Sequence, residues 1–224
     1  LLQNPSNKMK NKIILRLWIS FVVIILLIAV VVVSAWNGWI CNMPDFKTLQ
    51  NPVDEYASMV YSADGKLIGQ YNVARANRLA ADFQDLSPYL VEALVATEDE
   101  RFYEHSGIDA IGLGRAILKR GIMGDISAGG GSTITQQLAK MLYSERATSV
   151  MDRLFQKPVE WLIAIKLERQ FTKEEIITMY LNQFNFLNGA YGIKTAADIY
   201  FKKKPNELTR AECALFIGMC QNPR

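Results

Sequence analysis

The sequence predicts a mainly α-helical protein with one N-terminal transmembrane helix and a small β element ahead of its main domain. An uncharged apolar run fills residues 17–35, a hairpin-like stretch surrounds Asp64-Gly65, and the chain beyond it combines helical periodicity with capping residues. Half of the 224 residues are apolar, which is enough for one well-buried core. This composition excludes an intrinsically disordered chain.

The N-terminal run "LWISFVVIILLIAVVVVSA" is long enough to cross a bilayer, because its residues span roughly 28 Å as a helix. Lysines and Arg16 precede it, whereas no charged residue follows until Asp45, so the positive-inside rule places the N-terminus in the cytoplasm. A cleaved signal peptide is the alternative, but the run is longer than a signal core and "SAWNGW" is a poor cleavage site. We predict a cytoplasmic segment at 1–16, a transmembrane helix at 17–39, a juxtamembrane linker at 40–58 and one domain at 59–224.

Charge and cysteine usage narrow the function classes. The net charge of +3 is modest and gives no general nucleic-acid footprint, so we expect no nucleic-acid partner. Three cysteines without metal-ligand spacing and a single histidine make a zinc site of the usual kind improbable.

The elements of the main domain follow from turn and capping signals. The stretch "ASMVYSADGKLIGQY" predicts two short strands around Asp64-Gly65. Predicted helix starts follow in chain order, each tied to a cap or an apolar period. They are Ser87-Pro88 for a helix through Tyr103, Asp109 for one ending at Gly121, "TITQQLAKMLY", a helix over about 149–170, Thr172 with Glu175, and Thr209 with Glu212.

Glu98 lies in an unusual place for a carboxylate. Leu90, Leu94, Glu98 and Phe102 recur every four residues, so Glu98 falls on or beside the apolar stripe of its helix. One interpretation is a helix-end charge cluster that pairs with neighbouring cations. The other is a general acid or base that lines a cleft at the helix end. The residues alone leave both open.

Two further stretches combine polar groups with apolar surroundings. The loop and helix "GGGSTITQQLAK" could receive an anionic or hydroxylated group, although flexibility explains its glycines equally well. Lys157 and Glu160 share one helix face next to an apolar run, where a surface ion pair is the ordinary interpretation. Two carboxylates at apolar boundaries, each near cations, suit an enzyme that handles a sugar and a phosphate.

Taken together, the motifs "EDERFYEHSGID", "GGSTITQQLAK", "KPVEW", "EEIITMYLN" and "GAYGIKTAADIYFKK" resemble, in order and spacing, the peptidoglycan glycosyltransferases of family 51. These are the lysozyme-like polymerase domains of class A penicillin-binding proteins and monofunctional transglycosylases. The resemblance implies a lysozyme-like fold and inverting polymerisation of lipid II into β-1,4-linked glycan strands, with release of undecaprenyl pyrophosphate. It also implies a bacterial cytoplasmic membrane location, with the domain outside and truncated at its C-terminus.

The same resemblance implies roles for individual residues. Glu98 would be the catalytic base for the acceptor's 4-hydroxyl, and Glu160 the second essential carboxylate, near the donor's diphosphate. A divalent cation, Mg²⁺ or Mn²⁺, at Glu160 stays open, and no organic cofactor is implied. Tyr180 and Asn182 would belong to the scaffold. The residues implied to bind substrate are Asp99, Ser132, Thr133, Gln136, Gln137, Lys140, Arg146 and Lys157.

The implied partners are lipid II, the growing glycan strand, the lipid bilayer and other cell-wall synthesis proteins. A lysozyme-like glycan hydrolase is the nearest alternative function, since it also needs a glutamate at a helix end in an α-rich fold. An inactive membrane-anchored assembly partner is an alternative from another class. Retention of Glu98, Glu160 and the lysines argues against it.

Overall fold

A computed structural model describes residues 5–36, 58–71, 77–116, 118–119, 131–143 and 150–221. The chain divides into two compact units, Leu1–Met43 and Pro44–Arg224. The first contains helix α1, Pro5–Trp36. Within the described residues, no helix has both the length and the hydropathy needed to cross a membrane. The transmembrane helix at 17–39 therefore stays a prediction, and the predicted linker at 40–58 lies outside the described residues except at its last position.

The second unit opens with the predicted β-hairpin. Strand β1, Ser58–Tyr61, pairs antiparallel with β2, Leu67–Tyr71. Gly65 in the turn has φ 79°, a left-handed conformation that costs glycine little. The prediction of a small β element around Asp64-Gly65 is confirmed.

The rest of the second unit is mainly helical, as predicted. A parallel pair of two-residue strands, β3 (Asn77–Arg78) and β4 (Ala190–Tyr191), was not predicted, because segments this short carry no alternation to detect. The helices are α2 (Pro88–Glu98), α3 (Ala110–Ala116), α4 (Ile134–Tyr143), α5 (Val150–Gln170), α6 (Lys173–Gln183), α7 (Ile193–Phe201) and α8 (Arg210–Gln221).

The core lies between α4 and two helices that pack on it, α5 and α6, while α2 packs on α8. Leu90 and Leu94 of α2, Leu138 of α4 and Ile163 of α5 are fully or almost fully buried. Because these side chains fix α2 and α4 within one core, the ends of the two helices are held in a set geometry.

Local capping signals predict the later helix boundaries correctly. Thr172 N–H donates to Glu175 Oε2 at 2.7 Å, and Glu175 N–H donates to Thr172 Oγ1 at 3.2 Å, which closes a capping box. Thr209 and Glu212 make the same reciprocal bonds at the start of α8. Asn182, expected in the scaffold, exchanges two hydrogen bonds with the backbone of Ala81.

One predicted boundary is wrong. The helix that begins after Ser87 ends at Glu98, and Asp99 takes φ −159° and ψ 76°, instead of the helix continuing through Tyr103. The cause lies outside the helix. Asp99 turns its carboxylate to the start of α4 and to His105, and the backbone leaves the helical path to let it do so. The helix predicted after Asp109 begins as expected, and its predicted stop at Gly121 lies outside the described residues.

Candidate active site

A cavity of about 260 Å³ opens where α2 ends and where α3 and α4 begin. Its wall carries both signs of charge. The charged residues that line it are Glu98, Asp99, Glu100, Arg101, Asp109, Arg115 and Lys119, and Ser132 and Thr133 complete the α4 side. Of the predicted site residues, the cavity thus brings together Glu98, Asp99, Ser132 and Thr133.

The two oxygens of Glu98 have different environments. Gln137 Nε2 donates to Glu98 Oε2 at 2.8 Å, which fixes the orientation of the carboxylate. Oε1 is shielded from solvent and accepts no hydrogen bond from any described group. A buried acceptor without a donor costs free energy, so such an atom is unusual unless a ligand supplies the donor.

Both carboxylate oxygens of Asp99, the next residue, have hydrogen-bond partners. His105 Nε2 lies 3.1 and 3.0 Å from its two oxygens, and the backbone N–H of Ile134 donates to Oδ2 at 3.1 Å. The backbone N–H of Gly107 donates to His105 Nδ1 at 3.3 Å, which leaves Nε2 as the protonated nitrogen facing Asp99. Asp99 therefore ties the end of α2 to the first turn of α4.

Gly107 brings the loop after α2 against α5. Its φ is 92°, and a Cβ atom here would lie 2.9 Å from the carbonyl carbon and oxygen of Ala164, so glycine is required. The Gly107 carbonyl accepts from Thr133 Oγ1 at 2.7 Å and from Gln136 Nε2 at 3.2 Å. The buried side chains of Thr133 and Gln136 are therefore engaged in shaping the cavity wall.

The second predicted carboxylate, Glu160, is linked to the cavity wall by Lys157. Lys157 Nζ lies 2.9 Å from Glu160 Oε2 and donates to Ser132 Oγ at 3.2 Å. The 2.9 Å contact between Lys157 and Glu160 is an ion pair without hydrogen-bond geometry, because Glu160 Oε2 accepts no hydrogen bond from any described group. Glu160 is 1% exposed, whereas the Lys157 side chain is half exposed. A buried carboxylate thus holds an accessible ammonium at the cavity edge.

Two further cations, Lys140 and Arg146, were predicted to bind substrate. Lys140 is exposed on α4 and does not line the cavity. Arg146 lies outside the described residues. Their roles in substrate binding stay predictions.

Sequence reasoning did not predict Arg101 as a site residue, and it left open whether Asp109 belongs to the site or to the scaffold. Arg101 Nη2 pairs with Asp109 Oδ1 at 3.0 Å across the cavity wall. Burial alone would raise the pKa of Asp109, but the backbone N–H groups of Gly112 and Ile111 and the charge of Arg101 outweigh it and lower that pKa. Both residues stand in the "EDERFYEHSGID" motif, which was the available signal.

A second network of ionic and hydrogen-bonded contacts, centred on Lys173, had no local signal in the sequence. Lys173 Nζ donates to the His105 carbonyl at 2.7 Å and to Glu168 Oε1 at 2.8 Å, and it lies 4.2 Å from the centre of the Phe102 ring. Thr135 Oγ1 donates to the same carboxylate at 2.6 Å. These contacts fix the loop that follows Glu98 to α5 and α6.

The residues that the structure describes do not fit a protein-held metal at Glu160. The part of the chain that the structure describes contains no group of three or more His, Cys, Asp or Glu side chains arranged around one point. The Lys157 ammonium already lies against Glu160 Oε2. A dependence on Mg²⁺ or Mn²⁺ stays a prediction.

Comparison with known proteins identifies the family. The family model described as "Transglycosylase" matches residues 64–224. Penicillin-binding protein 1A of Escherichia coli is 38% identical over 182 residues, which cover 81% of this chain and 21% of that protein. Penicillin-binding protein 1A of Aquifex aeolicus is 40% identical over 182 residues, covering 81% of this chain and 24% of that protein. The chain therefore spans less than a quarter of the length of either relative. The chain belongs to the transglycosylase family, and the resemblance to family 51 peptidoglycan glycosyltransferases is confirmed.

Proposed function

We propose that this chain is a membrane-anchored peptidoglycan glycosyltransferase that polymerises lipid II. The 4-hydroxyl oxygen of the acceptor's terminal N-acetylglucosamine attacks the anomeric carbon of the donor's N-acetylmuramic acid. A β-1,4 bond forms, the bond from that carbon to the diphosphate oxygen breaks, and undecaprenyl pyrophosphate leaves with the bonding electrons. Glu98 takes the hydroxyl proton, and the single displacement inverts the anomeric centre.

The observation that carries this proposal is the asymmetry of the Glu98 carboxylate. Glu98 lines the cavity. Gln137 donates a hydrogen bond to its Oε2, whereas its Oε1 has no donor among the described groups. Because Oε1 is shielded from solvent, an acceptor hydroxyl reaches it only if the groups that cover it move aside. The hydroxyl would then supply the missing hydrogen bond and transfer its proton to Oε1. A carboxylate fixed by one oxygen and free at the other meets the geometric demand on a general base.

The group formed by Lys157, Glu160 and Ser132 supports a binding site for the leaving diphosphate. Negative charge grows on the leaving oxygen as its bond to the anomeric carbon breaks, and a fixed cation lowers the energy of that charge. Lys157 contacts Ser132, a residue of the cavity wall, and Glu160 limits where its ammonium can move. Glu160 thus acts on the diphosphate by positioning Lys157.

The membrane part of the proposal rests on the N-terminal helix and on the substrate. Helix α1 is continuous from Pro5 to Trp36, contains the uncharged run at 17–35, and leaves Leu17, Phe21 and Val30 more than half exposed. A lipid-linked substrate is held in the bilayer, so an enzyme anchored in the same membrane searches for it in two dimensions. We place the protein in the bacterial cytoplasmic membrane, with its domain on the outer side.

One assay tests the reaction and its base together. The full chain is reconstituted in liposomes that contain labelled lipid II, and products are separated by size. We expect glycan polymer from the wild type and a loss of at least about 10²-fold in rate for Glu98→Gln, which keeps the size of the side chain but not the base. A severe loss is also expected for Glu160→Gln. Glu92→Gln is the matched control, because Glu92 is an exposed glutamate of the same helix.

Each outcome decides one part of the proposal. A wild-type rate for Glu98→Gln would remove the base assignment. Absence of polymer from folded wild type would reject the polymerase, and shortening of added uncrosslinked glycan strands would then favour the hydrolase. Flotation of the same liposomes in high salt tests the anchor, since recovery of the chain away from the vesicles would contradict it.

A further inference from the structure

A line of polar side chains runs from Cys220 of α8 through Tyr180 of α6 to the Gln137 amide that holds Glu98. Tyr180 Oη lies 3.0 Å from Gln137 Oε1, and Gln137 Nε2 lies 2.8 Å from Glu98 Oε2. Cys220 of α8 lies near enough to the Tyr180 hydroxyl to interact with it electrostatically. Tyr180 is fully buried, whereas Gln137 is partly buried.

The direction of these hydrogen bonds is fixed by chemistry. An amide oxygen only accepts, so the Tyr180 hydroxyl must donate to Gln137 Oε1. With its oxygen held there, the Gln137 amide presents its NH₂ group to Glu98. A half-turn of the amide would instead set its oxygen against the carboxylate, so that two acceptors faced each other.

The surroundings of Tyr180 keep its hydroxyl in the form that donates. Burial, followed by the nearby Cys220 and the charge of Glu98, raises the pKa of Tyr180. Burial and the Glu98 charge likewise raise the pKa of Cys220 to about 12, so the thiol stays protonated at neutral pH. The Tyr180 hydroxyl therefore keeps its proton at neutral pH.

We propose that Tyr180 is a positioning residue for the catalytic base, acting through Gln137 by selecting the amide orientation that donates to Glu98. The sequence had placed Tyr180 in the scaffold, and this inference rests on the proposed function. Tyr180 touches neither substrate nor reacting atoms in this role. Its effect should therefore fall on turnover and not on substrate binding.

The test is a double-mutant cycle measured as kcat and KM for lipid II, using the full chain in liposomes. We expect Tyr180→Phe to lower kcat about tenfold and to leave KM within about twofold, because one neutral hydrogen bond and its orienting effect are lost. Gln137→Ala should lower kcat further. In the Gln137→Ala background, Tyr180→Phe should have no further effect, because the group through which it acts is gone.

Tyr200→Phe is the matched control. Its hydroxyl donates to the Phe186 carbonyl at 2.8 Å and has no contact with Glu98 or Gln137, so kcat should equal that of the wild type. Thermal unfolding of Tyr180→Phe should stay within a few degrees of the wild type, because phenylalanine fills the same core space and one hydrogen bond is lost.

Three results would overturn the inference. They are an unchanged kcat for Tyr180→Phe, losses that multiply in the double variant, or a Tyr180→Phe chain that is unfolded at the assay temperature, which would assign the residue to the core alone. Polymer from the wild type in any of these cases leaves the proposed function standing. A wild type that makes no polymer would reject the proposed function and this inference with it.

Discussion

Replacing Lys173 by methionine tests the ionic network that holds the loop after Glu98. Lys173 bonds the His105 carbonyl and both oxygens of Glu168, and its ammonium faces the ring of Phe102. The Glu168 side chain is 5% exposed and the Lys173 side chain 22% exposed. Methionine keeps the apolar stem but removes the charge and every hydrogen bond.

The expected loss follows from this burial. Removing one partner of a buried ion pair costs about 3–5 kcal/mol, because the other charge stays buried and uncompensated. Lys173 retains about a fifth of its surface, and Thr135 still donates to Glu168, so we expect the low end, about 3 kcal/mol. In a chain of this size that loss lowers Tm by about 6–12 °C.

Circular dichroism of the full chain in detergent would measure Tm. Lys202→Met is the matched control. Lys202 is 78% exposed and lies 3.8 Å from Asp198, which is 63% exposed, so the loss of this pair should cost less than about 1 kcal/mol. The variants Glu168→Gln and Lys173→Met with Glu168→Gln complete a cycle. In the Glu168→Gln background the lysine should matter much less, since no buried charge is then left unpaired.

A fall in Tm no larger than that of Lys202→Met would refute the reasoning. So would additive losses in the cycle, because they would mean that Lys173 and Glu168 stabilise the fold separately. Either result would leave the His105 loop held chiefly by Asp99 and by the packing of Gly107.

Two further predictions concern stability. Gly107→Ala should destabilise the fold by about 1–3 kcal/mol, because φ is 92° and the new methyl group would meet the Ala164 backbone at 2.9 Å. The control Gly114→Ala, in open space on α3, should be neutral or stabilising. Equal Tm values for the two variants would contradict this prediction. Lys203, with the Thr209 N–H, lowers the pKa of Glu212 from 4.5 to about 2, so its ionised form adds stability above about pH 4.5 that is lost as the pH falls through about 2. The Tm difference between wild type and Glu212→Gln should therefore shrink over that interval, and a difference that persisted at pH 2 would contradict the assignment.

Whether an element could be predicted from the sequence depends on how far apart the residues that fix it lie along the chain. The boxes at Thr172 and Thr209 involve groups three residues apart, and they were predicted correctly. The predicted end of α2 was wrong because the Asp99 carboxylate accepts a hydrogen bond from the backbone of Ile134, 35 residues away. The partner of Gln137 on α6 is 43 residues away and leaves no periodic trace in the sequence.

The neighbours Glu98 and Asp99 explain why an acidic pair suits this position. Two adjacent carboxylates at a helix end repel each other, and both cannot point to the same side of the chain. Asp99 leaves the helix and accepts hydrogen bonds from His105 and from the start of α4, which anchors the backbone at that point. Glu98, still the last residue of α2, is then held through one oxygen and has the other without a donor among the described groups. If this division of roles is correct, Asp99→Asn should damage both folding and turnover, whereas Glu98→Gln should spare the fold and stop the reaction. The two acids would then be distinguished by Tm, a measurement that involves no substrate.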